Sequence, residues 1–393
     1  MSFRPIRCVL LPLLCVLGLG ACERKPEVDD PSRRAARERS LEDGILLGVV
    51  GALTGDQASF GVSTRNGILL AVKEENEAGG INGHPIRIRA YDSQGKPPEG
   101  ANAVTRLINQ DGAALILGEV ASGISLAMAP VAQAAGVPMI SPSSTNPKVT
   151  EVGDYIFRVC FIDPFQGDVM ARFAHDNLKA KRVAVLRDIK SDYSVGLVGV
   201  FKESFTALGG TIVADEAYSQ GDTDFRSQLT AIKASNPDAV YVPGYYTEVG
   251  ILARQAKQLG LRVPLMGGDG WESSKLYELG GSALDGNFFS NHYSPEDPRP
   301  IVKDFIAKYA KEFGMEPDSL AVLAYDAAKV AIEAIRRAGT LSGPALRDAI
   351  AQTRDFPGVG GTITLDEHRN ARKKAVILRI EDRAAHFYTS VEP

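Results

Sequence analysis

The fold class of this chain is indicated most clearly by residues 182–214, RVAVLRDIKSDYSVGLVGVFKESFTALGGTIVA. Arg182–Leu186 is a short apolar run that predicts a strand, and 195–208 carries apolar residues at the spacing of a helix. Thr211–Ala214 then begins a second strand. A strand, a helix and a strand in succession indicate a βαβ unit, whose two strands are parallel because the helix carries the chain back across the sheet.

The same alternation extends over most of the chain. Because it restarts after Cys160, we expect an α/β fold with two Rossmann-like parallel-sheet lobes rather than one barrel. The other predicted strands are Ile45–Val50, 86–91, 113–117, 137–140, 239–242, 263–266, 361–365 and 375–380. The other predicted helices are 62–78, 99–110, 165–178, 223–235, 247–259, 299–313 and 318–338, together with a helix of small residues between the strands 113–117 and 137–140.

The composition agrees with a large folded body. The chain has 393 residues, of which 44% are hydrophobic and 23% charged. It is too long for one small core and too apolar for a disordered chain. Its formal net charge is −4, whereas binding to nucleic-acid phosphates requires clustered lysine and arginine. The sequence therefore predicts no nucleic-acid partner.

The first residues have the pattern of an export signal. Two arginines precede an apolar run over 8–19, which is too short to span a membrane comfortably. The run ends in Leu-Gly-Ala-Cys at 19–22, which resembles the bacterial lipobox, where cleavage before the cysteine precedes attachment of lipid to its sulfur. We expect residues 1–21 to be a lipoprotein signal peptide and Cys22 to be lipidated. The alternative is an ordinary secretory signal with a chance cysteine.

Residues 22–43 are predicted to be a charged tether. They contain two prolines and almost nothing apolar, so they cannot bury enough surface to order themselves. Such a tether would hold the folded body roughly 25 Å from the lipid. Signal cleavage and lipidation would leave only Cys160, so we expect no intrachain disulfide and a buried, inert thiol.

Five polar or aromatic residues follow predicted strands. Ligands of open parallel sheets bind beyond the carboxyl ends of the strands, so these positions are candidates for a binding site. Ser122 and Thr145 offer hydroxyls and free backbone amides to a carboxylate. Asp269, between glycines, can pair with an ammonium group, and Tyr193 and Tyr245 can stack over apolar or cationic groups. Each residue alone also has an ordinary structural interpretation, but together they suit an α-amino acid.

Signatures of catalysis are weak. The chain has no Gly-x-Ser-x-Gly, phosphate-binding loop or His-Glu-x-x-His motif. Its five histidines lack the spacing of metal ligands. Glycines 48, 51 and 55 lack the spacing of a dinucleotide-binding loop. The sequence therefore predicts a binding protein with no cofactor and no metal.

Several motifs make the chain similar to a known family. Over 44–390 it resembles the leucine/isoleucine/valine-binding proteins, the solute receptors of branched-chain amino-acid ABC importers. The motifs are GVVGALTG at 48–55, NEAGGING at 76–83, YDS at 91–93, GVPMISPSST at 136–145 and SDYSVG at 191–196.

The resemblance implies the type I periplasmic binding fold, in which three crossing segments join two α/β lobes that close on a ligand. The crossings are expected near 161–163, 291–293 and 358–362. Lobe 1 is expected to comprise 44–161 plus 293–360, and lobe 2 to comprise 162–292 plus 361–390.

The resemblance also implies roles for individual residues. Ser122 and Thr145 would hold the ligand's carboxylate, while the carbonyl of Ser143 and the side chain of Asp269 would hold its ammonium group. The two tyrosines named above would close the cleft from the second lobe. Phe60 would line the pocket for the ligand's side chain.

The sequence departs from the family pattern at several of these positions. Asp269 is one methylene shorter than the glutamate common in the family, so the ammonium geometry must shift or use water. Trp271 adds bulk beside it, although a purely structural tryptophan is an equal alternative. Ala121 stands where some relatives have a disulfide cysteine, and Leu320 where some have an aromatic residue. Which amino acid or related solute binds is left open.

We therefore expect a lipid-anchored receptor in the periplasm or cell envelope. It would trap an amino acid, branched-chain or related, and present the closed form to an ABC permease in the inner membrane. We expect it to act as a monomer. A ligand sensor for a signalling receptor is the alternative, and an enzyme on the same fold is a weaker one.

Overall fold

The first of two large sheets contains five parallel strands. The structure is a computed structural model that describes Met1 and residues 40–393. The strands are β1 (Ile45–Gly51), β2 (Ile86–Asp92), β3 (Leu115–Leu117), β4 (Met139–Ser141) and β5 (Ile156–Arg158). They lie in the order β2-β1-β3-β4-β5, and each neighbouring pair is parallel.

The second sheet contains seven strands. They are β6 (Arg182–Asp188), β7 (Thr211–Tyr218), β8 (Ala239–Tyr241), β9 (Leu265–Gly267), β10 (Phe288–Asn291), β13 (Ala375–Glu381) and β14 (Ala384–Val391). The order is β14-β13-β10-β9-β8-β6-β7, in which β6 to β10 are parallel and the last two strands are antiparallel additions. A separate hairpin is formed by β11 (Phe356–Gly358) and β12 (Gly361–Ile363).

Twelve α-helices connect these strands within the described part of the chain. They are α1 (Ala58–Glu77), α2 (Pro97–Asn109), α3 (Ser122–Ala135), α4 (Lys148–Glu151), α5 (Asp163–Arg172), α6 (Asp192–Ala207), α7 (Arg226–Ala234), α8 (Tyr246–Gln258), α9 (Ser274–Gly280), α10 (Pro300–Phe313), α11 (Ser319–Ala338) and α12 (Gly343–Ala351). The predicted α/β architecture with two sheets is confirmed.

Two long helices cover one face of the first sheet. The helices α1 and α11 pack against each other, and Ile45, Leu47 and Val49 of β1 share a buried cluster with residues of both. The helices approach closely at Gly67, because a Cβ there would lie 2.2 Å from the carbonyl oxygen of Ala321. Only glycine allows so close an approach of two backbones.

Residues 361–371 pack against the first sheet, although the sequence analysis assigns them to the second lobe. Ile363, Leu365 and Ala371 belong to the buried cluster of the first sheet, and Arg369 donates to the Ile156 carbonyl at 3.2 Å. The chain enters the second sheet only at β13. The third crossing between the lobes therefore lies later in the chain than expected. The sequence could not show this, because an apolar strand pattern does not reveal which of two cores the strand joins.

The two lobes touch, so the cleft between them is closed in this structure. The hydroxyl groups of Tyr246 and Thr247 donate to the carbonyl of Asp56 at 2.7 and 2.9 Å. The hydroxyl of Ser273 donates to that of Ser59 at 2.8 Å. These bonds join the loop after β1 and the first turn of α1 to the second lobe.

Candidate functional site

A small cavity lies between loops that follow the strands of both sheets. The volume open to the centre of a water molecule is about 10 Å³, which is room for about one water molecule. Its wall consists of Phe60, Val120, Ser143, Thr145, Tyr193, Tyr245, Asp269, Gly270 and Leu320. All of these are buried, and all but Val120 and Gly270 were expected in the site. Those two are chain neighbours of the expected residues Ala121 and Asp269, so the same strand-end rule points to them.

The first sheet contributes two hydroxyl groups without partners. Ser143 and Thr145 lie in the loop after β4 and are 3% and 1% exposed. Neither hydroxyl makes a hydrogen bond of normal geometry, although that of Thr145 lies beside the Asp163 carboxyl. An unpaired buried polar group costs about 1–3 kcal/mol. Both hydroxyls are therefore suited to a partner that enters the cavity.

The buried side chain of Arg158 holds this loop in place. Its guanidinium group donates to the carbonyl oxygens of Ser144, Asn146 and Pro147 and to the hydroxyl of Thr150. Arginine offers its donors in one rigid plane. The loop that carries the two free hydroxyls therefore cannot shift without breaking several buried hydrogen bonds.

The second sheet contributes a carboxylate that is held by three donors. Asp269 follows β9, and its Oδ1 accepts hydrogen bonds from Gln166 Nε2 at 2.7 Å and from the Tyr193 hydroxyl at 2.8 Å. Its Oδ2 lies 3.0 Å from His292 Nε2. A carboxylate has about four acceptor places, so about one remains for a group in the cavity.

Neither Gln166 nor His292 was expected in the site. Gln166 lies on α5, far along the chain from Asp269 and at no strand end. His292 directly follows β10, a strand that the sequence analysis does not predict. Recognition of the short apolar segment Phe288–Asn291 as a strand would have pointed to His292.

Burial changes the titration of two groups near the cavity. Desolvation raises the pKa of Asp163 to about 8, and the nearby charge of Asp269 adds to this effect. Desolvation lowers the pKa of His292, against the opposite effect of its hydrogen bond to Asp269. Burial therefore favours the protonated, neutral form of the Asp163 carboxyl and the neutral form of the His292 imidazole.

Aromatic and aliphatic side chains form the rest of the wall. The rings of Tyr193 and Tyr245 stack with their centroids 5.3 Å apart and their planes 8° from parallel. Phe60 meets Tyr245 edge to face at 5.6 Å and Tyr246 at 4.9 Å. With Leu320, these rings provide an apolar surface beside the polar groups.

Three residues of the expected site do not line the cavity. The Ser122 hydroxyl accepts a hydrogen bond from the backbone of Asn146 at 3.3 Å, and Ala121 precedes α3 with its amide bonded to a buried glutamate. Trp271 is fully buried and donates from Nε1 to the Val242 carbonyl at 2.9 Å. Trp271 is therefore packed in the core in this structure.

Two acidic side chains from different lobes lie close together at the edge of the cleft. Glu272 follows the Asp269 loop in the second lobe, and Asp318 precedes α11 in the first. Glu272 accepts a hydrogen bond from Asn291 Nδ2. Its pKa is raised to about 8, mainly by desolvation and next by the charge of Asp318. Closure therefore brings together two groups that repel each other when both are ionised.

Other expectations concern the membrane, metals and cysteines. Met1 and residues 40–393 contain no helix that is long and apolar enough to cross a membrane. In the same part of the chain, no group of three or more His, Cys, Asp or Glu side chains could hold a metal ion. The Cys160 thiol is buried, and desolvation raises its pKa to about 12. Cys22 and most of the expected signal and tether lie outside the described residues.

Comparison with known sequences confirms the resemblance. The family model described as periplasmic binding protein matches residues 44–385. The Leu/Ile/Val-binding protein BraC3 of Rhizobium johnstonii is 33% identical over 325 residues, which cover 82% of this chain and 88% of that protein.

Solved structures show the same relationship. A leucine binding protein, LivK, of Thermotoga maritima is 40% identical with a TM-score of 0.86, covering 89% of this chain and 99% of that one. The branched-chain amino acid transporter substrate binding protein LivJ of Streptococcus pneumoniae, in complex with isoleucine, is 33% identical with a TM-score of 0.85, covering 89% and 100%. An ABC transporter solute binding protein of Rhodopseudomonas palustris, in complex with 3,4-dihydroxybenzoic acid, is 28% identical with a TM-score of 0.80, covering 89% and 98%. This chain therefore belongs to the periplasmic binding protein family, among the substrate-binding proteins of branched-chain amino-acid ABC transporters, which are not enzymes.

Proposed function

We propose that this protein is a lipid-anchored substrate-binding protein that binds an amino acid, branched-chain or related, between its two lobes. The observation that carries the proposal is the shared cavity. Its wall combines the unpartnered hydroxyls of Ser143 and Thr145 from one lobe with the Asp269 carboxylate from the other. A small zwitterion has a complementary group for each.

Each end of the ligand has a place in this proposal. The ammonium group takes the open acceptor place of Asp269 and the carbonyl of Ser143. The carboxylate is bound by the hydroxyl of Thr145 and by that of Ser122, which lies at the start of α3 and outside the wall of the closed cavity, and which keeps its own proton to donate. The ligand's side chain lies against Phe60 and its aromatic neighbours. Ala121 and Trp271 act indirectly, through the adjoining wall residues.

Binding requires the lobes to separate and close again. The closed cavity has room for about one water molecule, so an amino acid enters after hinge opening at the crossing segments. A ligand that touches both lobes then shifts the population toward closure around itself, in a closed form whose cavity is wider than the one described above. We place the lobes at 44–161 with 293–371, and at 162–292 with 372–390.

The proposed location is the periplasmic side of the cell envelope, with lipid on Cys22 and an ABC permease as the partner. The protein would act as a monomer. Replacing Cys22 with serine should move it from the membrane fraction to the soluble fraction, and continued membrane attachment would contradict the anchor. Deletion of the gene should reduce amino-acid uptake, whereas unchanged uptake would favour a sensor.

A thermal-shift screen followed by calorimetry tests ligand binding. L-leucine, L-isoleucine and L-valine should raise the melting temperature, because a ligand that binds only the folded state stabilises it. Thr145→Val removes the free hydroxyl at nearly constant shape and should weaken binding by about tenfold or more. Thr105→Val, at an exposed position on α2, is the matched control. If no amino acid stabilises the protein, the proposed ligand class is wrong.

A small aromatic carboxylate is the second candidate ligand. The wall formed by Phe60, Tyr193 and Tyr245 suits an aromatic ring, and the Rhodopseudomonas palustris relative was solved with 3,4-dihydroxybenzoic acid. Asp269 favours an amine, because a carboxylate ligand leaves it without an opposite charge. If 3,4-dihydroxybenzoate stabilises the protein and amino acids do not, this candidate replaces the first.

A further inference from the structure

We propose that His292 is a positioning residue, a neutral imidazole whose Nε2–H holds the Asp269 carboxylate in place for the ligand's ammonium group. This inference rests on the proposed binding of an amine-bearing ligand. Its second part, the state of the imidazole, is independent of any ligand.

The His292 ring is fixed on two sides. Its Nε2 lies 3.0 Å from Asp269 Oδ2, and both side chains are almost fully buried. The ring stacks on Phe161 with centroids 3.7 Å apart and planes 27° from parallel. The backbone N–H of His292 donates to the side chain of Asn291 at 2.8 Å. The ring therefore presents one defined edge to the carboxylate.

The other ring nitrogen indicates the protonation state. His292 Nδ1 has no hydrogen-bond partner and is buried. In a neutral ring that carries its proton on Nε2, Nδ1 is only an unmet acceptor. In an imidazolium ring it would be a buried, charged donor without an acceptor, which costs more. The geometry favours the neutral tautomer that donates to Asp269.

Two charged groups change the pKa of His292 in opposite senses. The carboxylate of Asp269 favours a protonated ring, while the ammonium group of Lys373, in the last crossing segment, opposes it. Asp163, on α5, is not among the groups that change the pKa of His292, whereas the charge of Asp269 contributes to the raised pKa of Asp163. Burial adds to the effect of Lys373, so the pKa of His292 lies below its ordinary value.

The three donors bond to different oxygens of the Asp269 carboxylate. Gln166 and Tyr193 both donate to Oδ1, and His292 is the one residue in the described part of the chain that bonds to Oδ2. Without His292, Oδ2 has no partner among the described residues, and the carboxylate plane is held against rotation about the Cβ–Cγ bond only by the two donors to Oδ1. All four residues lie in the second lobe or at its border, so the carboxylate is oriented before the lobes close. Orientation before binding reduces the entropy that the ligand must offset.

Two variants of His292 separate a donor role from a packing role. The side-chain amide of His292→Gln can place an N–H near the position of Nε2, whereas His292→Leu has no donor. By calorimetry with L-leucine, His292→Leu should bind about tenfold more weakly or worse. His292→Gln and the exposed control His368→Gln should bind nearly as wild type does. Wild-type affinity in His292→Leu, or an equal loss in both His292 variants, would overturn the proposal.

Nuclear magnetic resonance of the ligand-free protein tests the imidazole without relying on L-leucine. The ¹⁵N shifts of His292, assigned by comparison with His292→Gln, should show the Nε2–H tautomer and a pKa below the ordinary value of a histidine. The Nε2 resonance should move in Asp269→Asn. An imidazolium at neutral pH, or an Nδ1–H tautomer, would overturn the proposal even if L-leucine binds. If L-leucine does not bind while these shifts are found, the proposed ligand fails and the His292 contact stands.

Discussion

Replacing Asp269 with asparagine is the sharpest test of the ammonium site, because it removes one charge at nearly constant shape. A buried hydrogen bond between an ammonium group and a carboxylate contributes about 1.5–3 kcal/mol. Since about 1.4 kcal/mol corresponds to a factor of ten, we expect L-leucine to bind about 10- to 150-fold more weakly.

The same substitution should lower the stability of the protein. The carboxylate accepts from Gln166, Tyr193 and His292, whereas an asparagine amide has one oxygen and a donor NH₂ group. At least one donor therefore loses its acceptor, which costs about 1–3 kcal/mol. The melting temperature of Asp269→Asn should fall accordingly.

Calorimetry with L-leucine near neutral pH measures the affinity, and circular dichroism verifies that the variant is folded. Asp285→Asn is the control, because Asp285 is an exposed aspartate of the same lobe. If folded Asp269→Asn binds L-leucine as wild type does, Asp269 does not hold the ammonium group. The assignment of the two ends of the ligand would then fail.

Three further predictions concern closure, detection and packing. Burial, and next the charge of Asp318, raises the pKa of Glu272 to about 8 in the closed form, so closure takes up a proton. The affinity should therefore fall as the pH rises to about 8 and level off above it, and Glu272→Gln should reduce this dependence in calorimetry. Trp271 is the chain's one tryptophan and lies two residues from Asp269, so ligand binding should change the intrinsic tryptophan fluorescence. An unchanged fluorescence at saturating ligand would contradict a change in the surroundings of Trp271. A Cβ at Gly61 would lie 2.1 Å from a backbone oxygen, so Gly61→Ala should cost about 1–3 kcal/mol in denaturant unfolding. Gly199→Ala, where a Cβ has open space, is its control and should be neutral or stabilising.

The sequence predicts the loops that meet at the cavity but not the direction of every side chain in them. The strand-end rule located both Asp269 and Trp271, which are two residues apart. The carboxylate lines the cavity, whereas the indole turns into the core and bonds to Val242. A strand-end pattern gives the position of a loop, and packing decides which of its side chains face inward.

Two of the three partners of Asp269 were beyond the reach of local patterns. Gln166 lies 103 positions away in sequence and His292 lies 23 positions away, so their contacts exist only once the second sheet has formed. The strand β14 escaped prediction for a different reason. It exposes most of its side chains at a sheet edge, so it carries little of the apolar pattern that marks a buried strand.

The stacked rings of Phe161 and His292 have a mechanical consequence. They belong to two different crossing segments, and they lie face to face at 3.7 Å. Flat aromatic surfaces retain most of their dispersion contact during a small lateral slide, whereas a directional hydrogen bond weakens quickly once it is bent. The two segments can thus slide past each other at the hinge while the Asp269 carboxylate keeps its orientation.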